Sequence, residues 1–174
     1  KGLGLAIGNR LKKAAGFHTE AADDGKTVIG ITGCTGAGKT SLLHALEREG
    51  ACILDCDRIY HEMLESDESL RKALREAFGD AIFRADGAVD VHAMGLIVFR
   101  DKEKLSELDA IVRAHVPREC AQRMAVSDKK LIGLDAIKLI ECGLGAICDA
   151  TVAVTAPEEV RVRRIMARDG ITED

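Results

Sequence analysis

The chain has 174 residues, 47% of them apolar and 31% charged, with a formal net charge of −4. This is enough for one domain with a hydrophobic core, and with aromatics at 3% and no Trp that core must be built from Ala, Val, Ile and Leu, as where helices cover a parallel sheet. The acidic balance gives no broad electrostatic footprint for nucleic acid, and no apolar run is long enough for a membrane-spanning helix.

Residues 1–26 read as an N-terminal extension or linker. Leu3, Leu5, Ile7, Leu11, Ala14 and Ala15 can form the apolar side of a short helix that also carries Lys12 and Lys13. The stretch 19–26 is polar and contains Asp23-Asp24-Gly25, a turn signal. Such a helix suits a membrane surface or a partner; the plainer and favoured reading is a remnant of an upstream segment. The first residue is Lys, as in a trimmed chain or one that starts inside a longer reading frame.

From residue 27 the pattern alternates between short strands and helices. Thr27–Thr32 is a β-branched run. Leu42, Leu43, Ala45 and Leu46 have helical spacing within 39–49, closed by Gly50. A second apolar run, 51–54, ends at Asp55. The region 57–78 reads as helix in two pieces, broken near Ser66-Asp67, and 85–89 is a loop around Asp86-Gly87. Two helices follow near 91–99 and 101–126. The strand 131–134 ends at Asp135, and 150–155 is another strand. Pro157-Glu158-Glu159 marks a helix start, with Pro in the first turn and acids near the positive dipole end, and that helix stops at Gly170. The alternation predicts an α/β fold with a parallel sheet covered by helices.

The six cysteines, Cys34, Cys52, Cys56, Cys120, Cys142 and Cys148, form no CxxC pair and no zinc-finger spacing. They are expected as small buried hydrophobes in a reducing compartment. With no signal-peptide pattern, the cytoplasm is the expected location. Nothing in the sequence specifies an oligomeric state.

Gly33-Cys34-Thr35-Gly36-Ala37-Gly38-Lys39-Thr40 matches GxxxxGK[ST] at every fixed position, between a strand and an amphipathic helix. Phosphate oxygens need several inward-pointing donors. Consecutive backbone N–H groups in a tight loop supply them, and the following helix, entered at Ser41, adds its dipole. Lys39 is placed to reach the β- and γ-phosphates, and Thr40 to offer a hydroxyl to Mg²⁺. The loop fixes the ligand class but not the reaction. No Asn-Lys-x-Asp motif for guanine is present. A chain this small with one such loop points to a nucleotide or metabolite kinase that uses ATP and Mg²⁺.

Asp55 and Asp57 follow the second strand, where ligands gather in open α/β sheets. A carboxylate there can take the proton from an acceptor hydroxyl, or it can cap the next helix; both readings stay open for Asp55. Asp135, at the end of a later strand, is a candidate for holding Mg²⁺, or a turn residue. Arg164 and Arg168 share a helix face and can clamp phosphate or stack on a base. His61, one turn beyond the Asp pair, is a candidate substrate contact.

With these residues placed, the chain resembles the dephospho-CoA kinase family over about residues 27–174. The resemblance opens with Ile29-Gly30-Ile31-Thr32-Gly33 and the phosphate loop. It continues in Gly50-Ala51-Cys52-Ile53-Leu54-Asp55-Cys56-Asp57, similar to the family's GA-viDaD segment. Phe78-Gly79, Asp86-Gly87-Ala88-Val89-Asp90 and Leu108-Asp109-Ala110-Ile111 follow in order. Further on come Leu134-Asp135-Ala136, Glu141-Cys142-Gly143-Leu144, and Ala156-Pro157-Glu158-Glu159 through to Arg168-Asp169-Gly170.

The resemblance implies a three-layer fold of the P-loop NTPase type, with a helical substrate-covering region at about 60–126. It implies ATP-dependent phosphorylation of the ribose 3′-hydroxyl of dephospho-CoA, the last step of coenzyme A synthesis. Asp57 matches the family's catalytic base, and Arg164 and Arg168 match arginines near the ATP site. The chain departs from the pattern in three places. Val89-Asp90-Val91 stands for Leu-Asp-Arg, Arg113-Ala114 for His-Pro, and the segment Asp135-Ala136-Ile137-Lys138-Leu139-Ile140-Glu141 lacks its Pro. The chain also stops at Asp174, where the family normally adds one or two helices. Two alternatives keep the phosphate loop: another small P-loop kinase with the same Lys39 and Asp57 roles, or a nucleotide-binding module without turnover.

Overall fold

The computed structural model describes residues 25–170. Four parallel strands, β1 (Thr27–Thr32), β2 (Cys52–Asp55), β3 (Leu131–Asp135) and β4 (Ala150–Ala153), form one sheet in the order β2-β3-β1-β4. The helices are α1 (Lys39–Arg48), α2 (Cys56–Ser66), α3 (Glu68–Phe78), α4 (Val91–Val98), α5 (Lys102–Val126) and α6 (Glu158–Asp169). Short 3₁₀ turns at Asp80–Ile82 and Leu144–Ile147 were not foreseen from periodicity. The amphipathic helix expected near the N-terminus lies outside the described residues. Lys26, assigned to the extension, donates from Nζ to the carbonyls of Ala125 (3.3 Å) and Ser127 (2.7 Å). A cation at these last carbonyls satisfies the C-terminal end of α5.

The pleat sorts the sheet into two faces. On β1 and β3, Val28 pairs with Ile132 and Gly30 with Leu134. These positions face the main core, where Val28, Ile132 and Leu134 are buried with Ile59 of α2 and Cys120 of α5. Gly133 points the other way. A Cβ there would press on Ile53 and come within 3.5 Å of Leu46 of α1, so α1 covers the second face. This is the expected helix–sheet–helix layering.

The helices between β2 and β3 pack around α5, which touches α2, α3 and α4. Leu70, Leu74 and Phe78 recur every fourth residue on α3 and are all buried; each such side chain contributes about 1.5–3 kcal/mol of transfer free energy. Acidic N-caps start each helix of this region. Asp67 accepts from the Ser69 and Leu70 amides, Asp90 from Ala93, and Asp101 from Glu103 and Lys104. The Asp86-Gly87 turn is closed by a bridge between Phe83 and Val89. α5 runs through Pro117, which removes one ladder donor; burial of Val116, Pro117 and Cys120 against the core offsets that loss.

Several boundaries differ from expectation; the second strand, for example, runs Cys52–Asp55 rather than 51–54. Pro157 is the N-cap of α6 rather than a first-turn residue. β4 ends at Ala153 and is exposed along its length.

Candidate active site

The carboxyl ends of β1, β2 and β3 converge at one edge of the sheet. Ile31 pairs with Asp135, and Asp55 pairs with Asp135. The phosphate loop leaves β1 at this edge and enters α1. Gly33 adopts φ +145°, and a Cβ there would overlap the Val154 carbonyl oxygen beyond β4. The loop therefore requires glycine on two counts, backbone angle and close approach. The Ala37 amide donates to the Cys34 carbonyl at 3.1 Å and tightens the turn.

A cleft of about 310 Å³ opens over the loop, lined by Cys34 through Thr40 together with Asp135, Ile137, Arg164, Ile165 and Arg168. The structure thus brings the loop, Asp135 and both candidate arginines together. Arg164 donates from Nη1 to the carbonyls of Gly36 (3.1 Å) and Ala37 (3.2 Å), so it braces the loop as well as facing the cleft. Arg168 lines the cleft while pairing with Asp169 at 2.7 Å. Cys34 is exposed, unlike the buried Cys56, Cys120 and Cys148; Cys52 and Cys142 are half-buried. The expectation of uniformly buried thiols fails at Cys34 because a phosphate loop must present its backbone to the ligand.

Lys39 Nζ donates to the Gly33 carbonyl at 3.3 Å and lies 3.9 Å from Asp135 Oδ1, beyond hydrogen-bonding distance. That oxygen is buried and has no hydrogen-bond partner among the described residues. Burial pushes the Asp135 carboxyl above its ordinary value. Lys39 pulls it back, and the nearby Asp55 and Asp57 carboxylates push it up again. A buried carboxylate oxygen with spare capacity, in a cleft that Thr40 also lines, suits a hard cation that takes oxygen ligands. Among the described residues no cluster of three His, Cys, Asp or Glu could hold a metal alone. Mg²⁺ is commonly bound by one or two carboxylates plus substrate phosphates.

Asp57 lies on a second cleft, of about 300 Å³. Its walls are mostly apolar, with Leu108, Val112 and Val116 of α5 opposite Ala136, Ile137 and Leu144. Ile137 is common to both clefts. Asp55 and Asp57 flank Cys56 but have separate roles in the fold. Asp55 caps α2, its Oδ1 accepting from the Arg58 amide at 3.0 Å. Cys56 turns into the core, 3.8 Å from the Cys120 sulfur, and pins α2 to α5. The hydrogen bond with Cys120 and burial push its thiol well above the usual range. The Asp57 carboxylate is exposed, with no hydrogen-bond or ion-pair partner among the described residues.

His61 is exposed and lines neither cleft. Tyr60 beside it does line the second cleft. Its hydroxyl is buried without a partner, and burial pushes its pKa up to about 12. The sequence reading missed Tyr60, Asp109 and Lys138 in this wall. Tyr60 stands three residues from Asp57 and shares its helix face, which is the one signal that pointed to it. Val91 opens α4, and neither it nor Arg113 lines either of these two clefts.

The geometry can be set beside known proteins. A family model described as dephospho-CoA kinase matches residues 27–174. The chain is 33% identical over 150 residues to a dephospho-CoA kinase of Moorella thermoacetica, covering 83% of this chain and 70% of that protein. It is 35% identical over 147 residues to one of Anaeromyxobacter dehalogenans, with the same two coverages. A crystal structure from Thermus thermophilus superposes with TM-score 0.69 at 33% identity, covering 84% of this chain and 74% of that one. A dephospho-CoA kinase from Campylobacter jejuni shares the fold, with TM-score 0.54, 20% identity and coverages of 85% and 75%.

Proposed function

Because the chain belongs to the dephospho-CoA kinase family, and therefore phosphorylates dephospho-CoA in coenzyme A synthesis, we propose that its two adjoining clefts divide the reaction between donor and acceptor. The observation that carries this reading is the placement of the partner-free Asp57 carboxylate in the apolar cleft next to the phosphate loop. The loop from Gly33 to Thr40 and Ser41 at the head of α1 bind the nucleotide phosphates through backbone N–H groups and the helix dipole. Lys39 neutralises phosphate charge, and Arg164 and Arg168 close the nucleotide side. Asp57 accepts the proton of the ribose 3′-hydroxyl as that oxygen attacks phosphorus. Asp55 holds the start of α2, and hence Asp57, in place. Tyr60 keeps a neutral donor in the acceptor wall.

Thr40 and Asp135 would hold Mg²⁺, whose contribution when bound is to neutralise charge on the transferring phosphoryl group. The apolar wall of α5 keeps water from competing with the acceptor hydroxyl. Residues 60–126 form the covering region and 27–174 the kinase domain. Among the described residues no helix is long and apolar enough to cross a membrane.

Release of ADP with ATP and Mg²⁺ should depend on dephospho-CoA. Adenosine and a no-acceptor control should give little release. Equal release in all three would remove Asp57 from the acceptor role.

A second expected result concerns Asp135. A carboxyl whose pKa rises on folding adds stability below its unfolded value of about 3.9 and loses it as pH climbs through the raised folded value. At neutral pH the ionised form is therefore a cost. Asp135→Asn removes it, so the ligand-free variant should unfold at the same temperature as the parent or higher. Its extra thermal shift with Mg²⁺ and ATP should shrink. A full shift in the variant would place the metal elsewhere.

A further inference from the structure

The acceptor cleft contains one feature that the phosphoryl-transfer residues do not use. Lys138, three residues beyond Asp135, projects Nζ to within 3.2 Å of Asp109 Oδ1 on α5. Both residues line the cleft that contains Asp57, and among its described lining residues Lys138 is the one cation. The pair is partly open to solvent, with 51% of the Lys138 side chain and 29% of the Asp109 side chain exposed. An ion pair this exposed adds little to stability, typically about 0–1 kcal/mol, so fold stability alone is a weak reason for it.

The acceptor's own chemistry supplies a stronger reason. The ribose whose 3′-hydroxyl is phosphorylated carries a diphosphate on its 5′ side. That group brings negative charge into a cleft whose other charged lining residues, Asp57 and Asp109, are both acidic. Apolar walls weaken screening and make the repulsion larger than in water. A cation in this wall offsets that repulsion, and Lys138 is in position to be that cation. Arg113, one turn beyond Asp109 on α5, lies beside Gly143 but is not part of the lining.

Resting on the dephospho-CoA reading, we propose that Lys138 is the specificity residue for the acceptor diphosphate. Asp109 parks its ammonium group in the free enzyme, and binding exchanges the carboxylate for a phosphate oxygen. No covalent bond is made or broken in the exchange. The lysine stem stays packed at the cleft while its head moves.

The exchange makes the two partners of one ion pair act in opposite directions. Lys138→Gln should raise the Kd and KM for dephospho-CoA about 10–100-fold, the range of a charge-assisted hydrogen bond. Its KM for ATP should be unchanged, and kcat should stay within about threefold. Lys138→Arg should recover most of the affinity. Asp109→Asn should lower the Kd for dephospho-CoA, because the lysine no longer has to leave a carboxylate. A purely structural tie between α5 and the β3 loop would instead weaken binding in both variants.

Calorimetric titration of dephospho-CoA into the whole protein, with thermal melts as folding controls, reads these effects without turnover. Parent-like binding in Lys138→Gln, or weaker binding in both variants, overturns the assignment. Loss of binding in Lys138→Gln, from a parent that binds dephospho-CoA but does not phosphorylate it, would sustain Lys138 and overturn the role given to Asp57. Turnover by the parent with an unaffected Lys138→Gln would do the reverse. A parent that does not bind dephospho-CoA would overturn both.

Discussion

Asp57→Asn is expected to lower turnover with dephospho-CoA by about 10²–10⁴-fold, the usual contribution of a positioned general base, with ATP affinity unchanged. The two effects separate because the residue lines the acceptor cleft and not the nucleotide cleft. The amide keeps the shape of the carboxylate but cannot accept the hydroxyl proton. Its effect on folding should be small, since the native carboxylate is exposed and has no hydrogen-bond or ion-pair partner among the described residues. What remains is its place in the first turn of α2, where an acid interacts with the dipole by about 0.3–1 kcal/mol. Steady-state kinetics beside a thermal melt decides the matter. A parent-like rate would reduce Asp57 to that dipole role.

Lys39→Ala is expected to reduce kcat/KM for ATP by about 10²–10³-fold, comparable to the loss of one preorganised electrostatic contact, and also to lower the melting temperature. The second effect follows from Asp135. Its buried Oδ1 has Lys39 Nζ as its nearest counter-charge at 3.9 Å, and no hydrogen bond. Removing Lys39 leaves a buried carboxylate oxygen with no hydrogen bond of its own uncompensated, whereas Lys39 keeps the Gly33 carbonyl when Asp135 is replaced. The double variant Lys39→Ala/Asp135→Asn should therefore regain melting temperature without regaining activity. Contacting residues are expected to be non-additive in this way. Equal melting temperatures for the single and double variants would show that the two side chains do not interact across the cleft.

Much of this site could be read before any coordinates, because its signals are local. The phosphate loop is eight consecutive residues between a β-branched run and an amphipathic one, its fixed glycines explained by backbone needs and Lys39 and Thr40 by their side chains. Asp55, Asp57 and Asp135 were marked by their places after strands, and the parallel sheet put two of those strand ends in register. Sequence left Asp55 between capping and chemistry; the hydrogen bond from the Arg58 amide shows the capping function directly.

The missed residues depend on contacts between distant segments. Asp109 and Lys138 are 29 positions apart, and no periodicity joins a residue in the middle of a long helix to a loop after a strand. The Cys56–Cys120 contact spans 64 positions. Tyr60 draws no reading from the sequence because nothing local shows that its hydroxyl is buried without a partner. The order β2-β3-β1-β4 likewise comes from long crossovers that residue patterns leave open.

The two clefts share a lining residue. Ile137 belongs to both and is 52% exposed. A single molecule that joins a nucleoside polyphosphate to the acceptor's ribose would pass this aliphatic side chain. Once its first half is seated, the second half is held near its own subsite at an effective concentration that reaches the millimolar range for short flexible tethers. Affinity would then peak at the tether length that just clears Ile137 and fall on either side. A graded series of such bisubstrate compounds would act as a molecular ruler for the path the phosphoryl group travels.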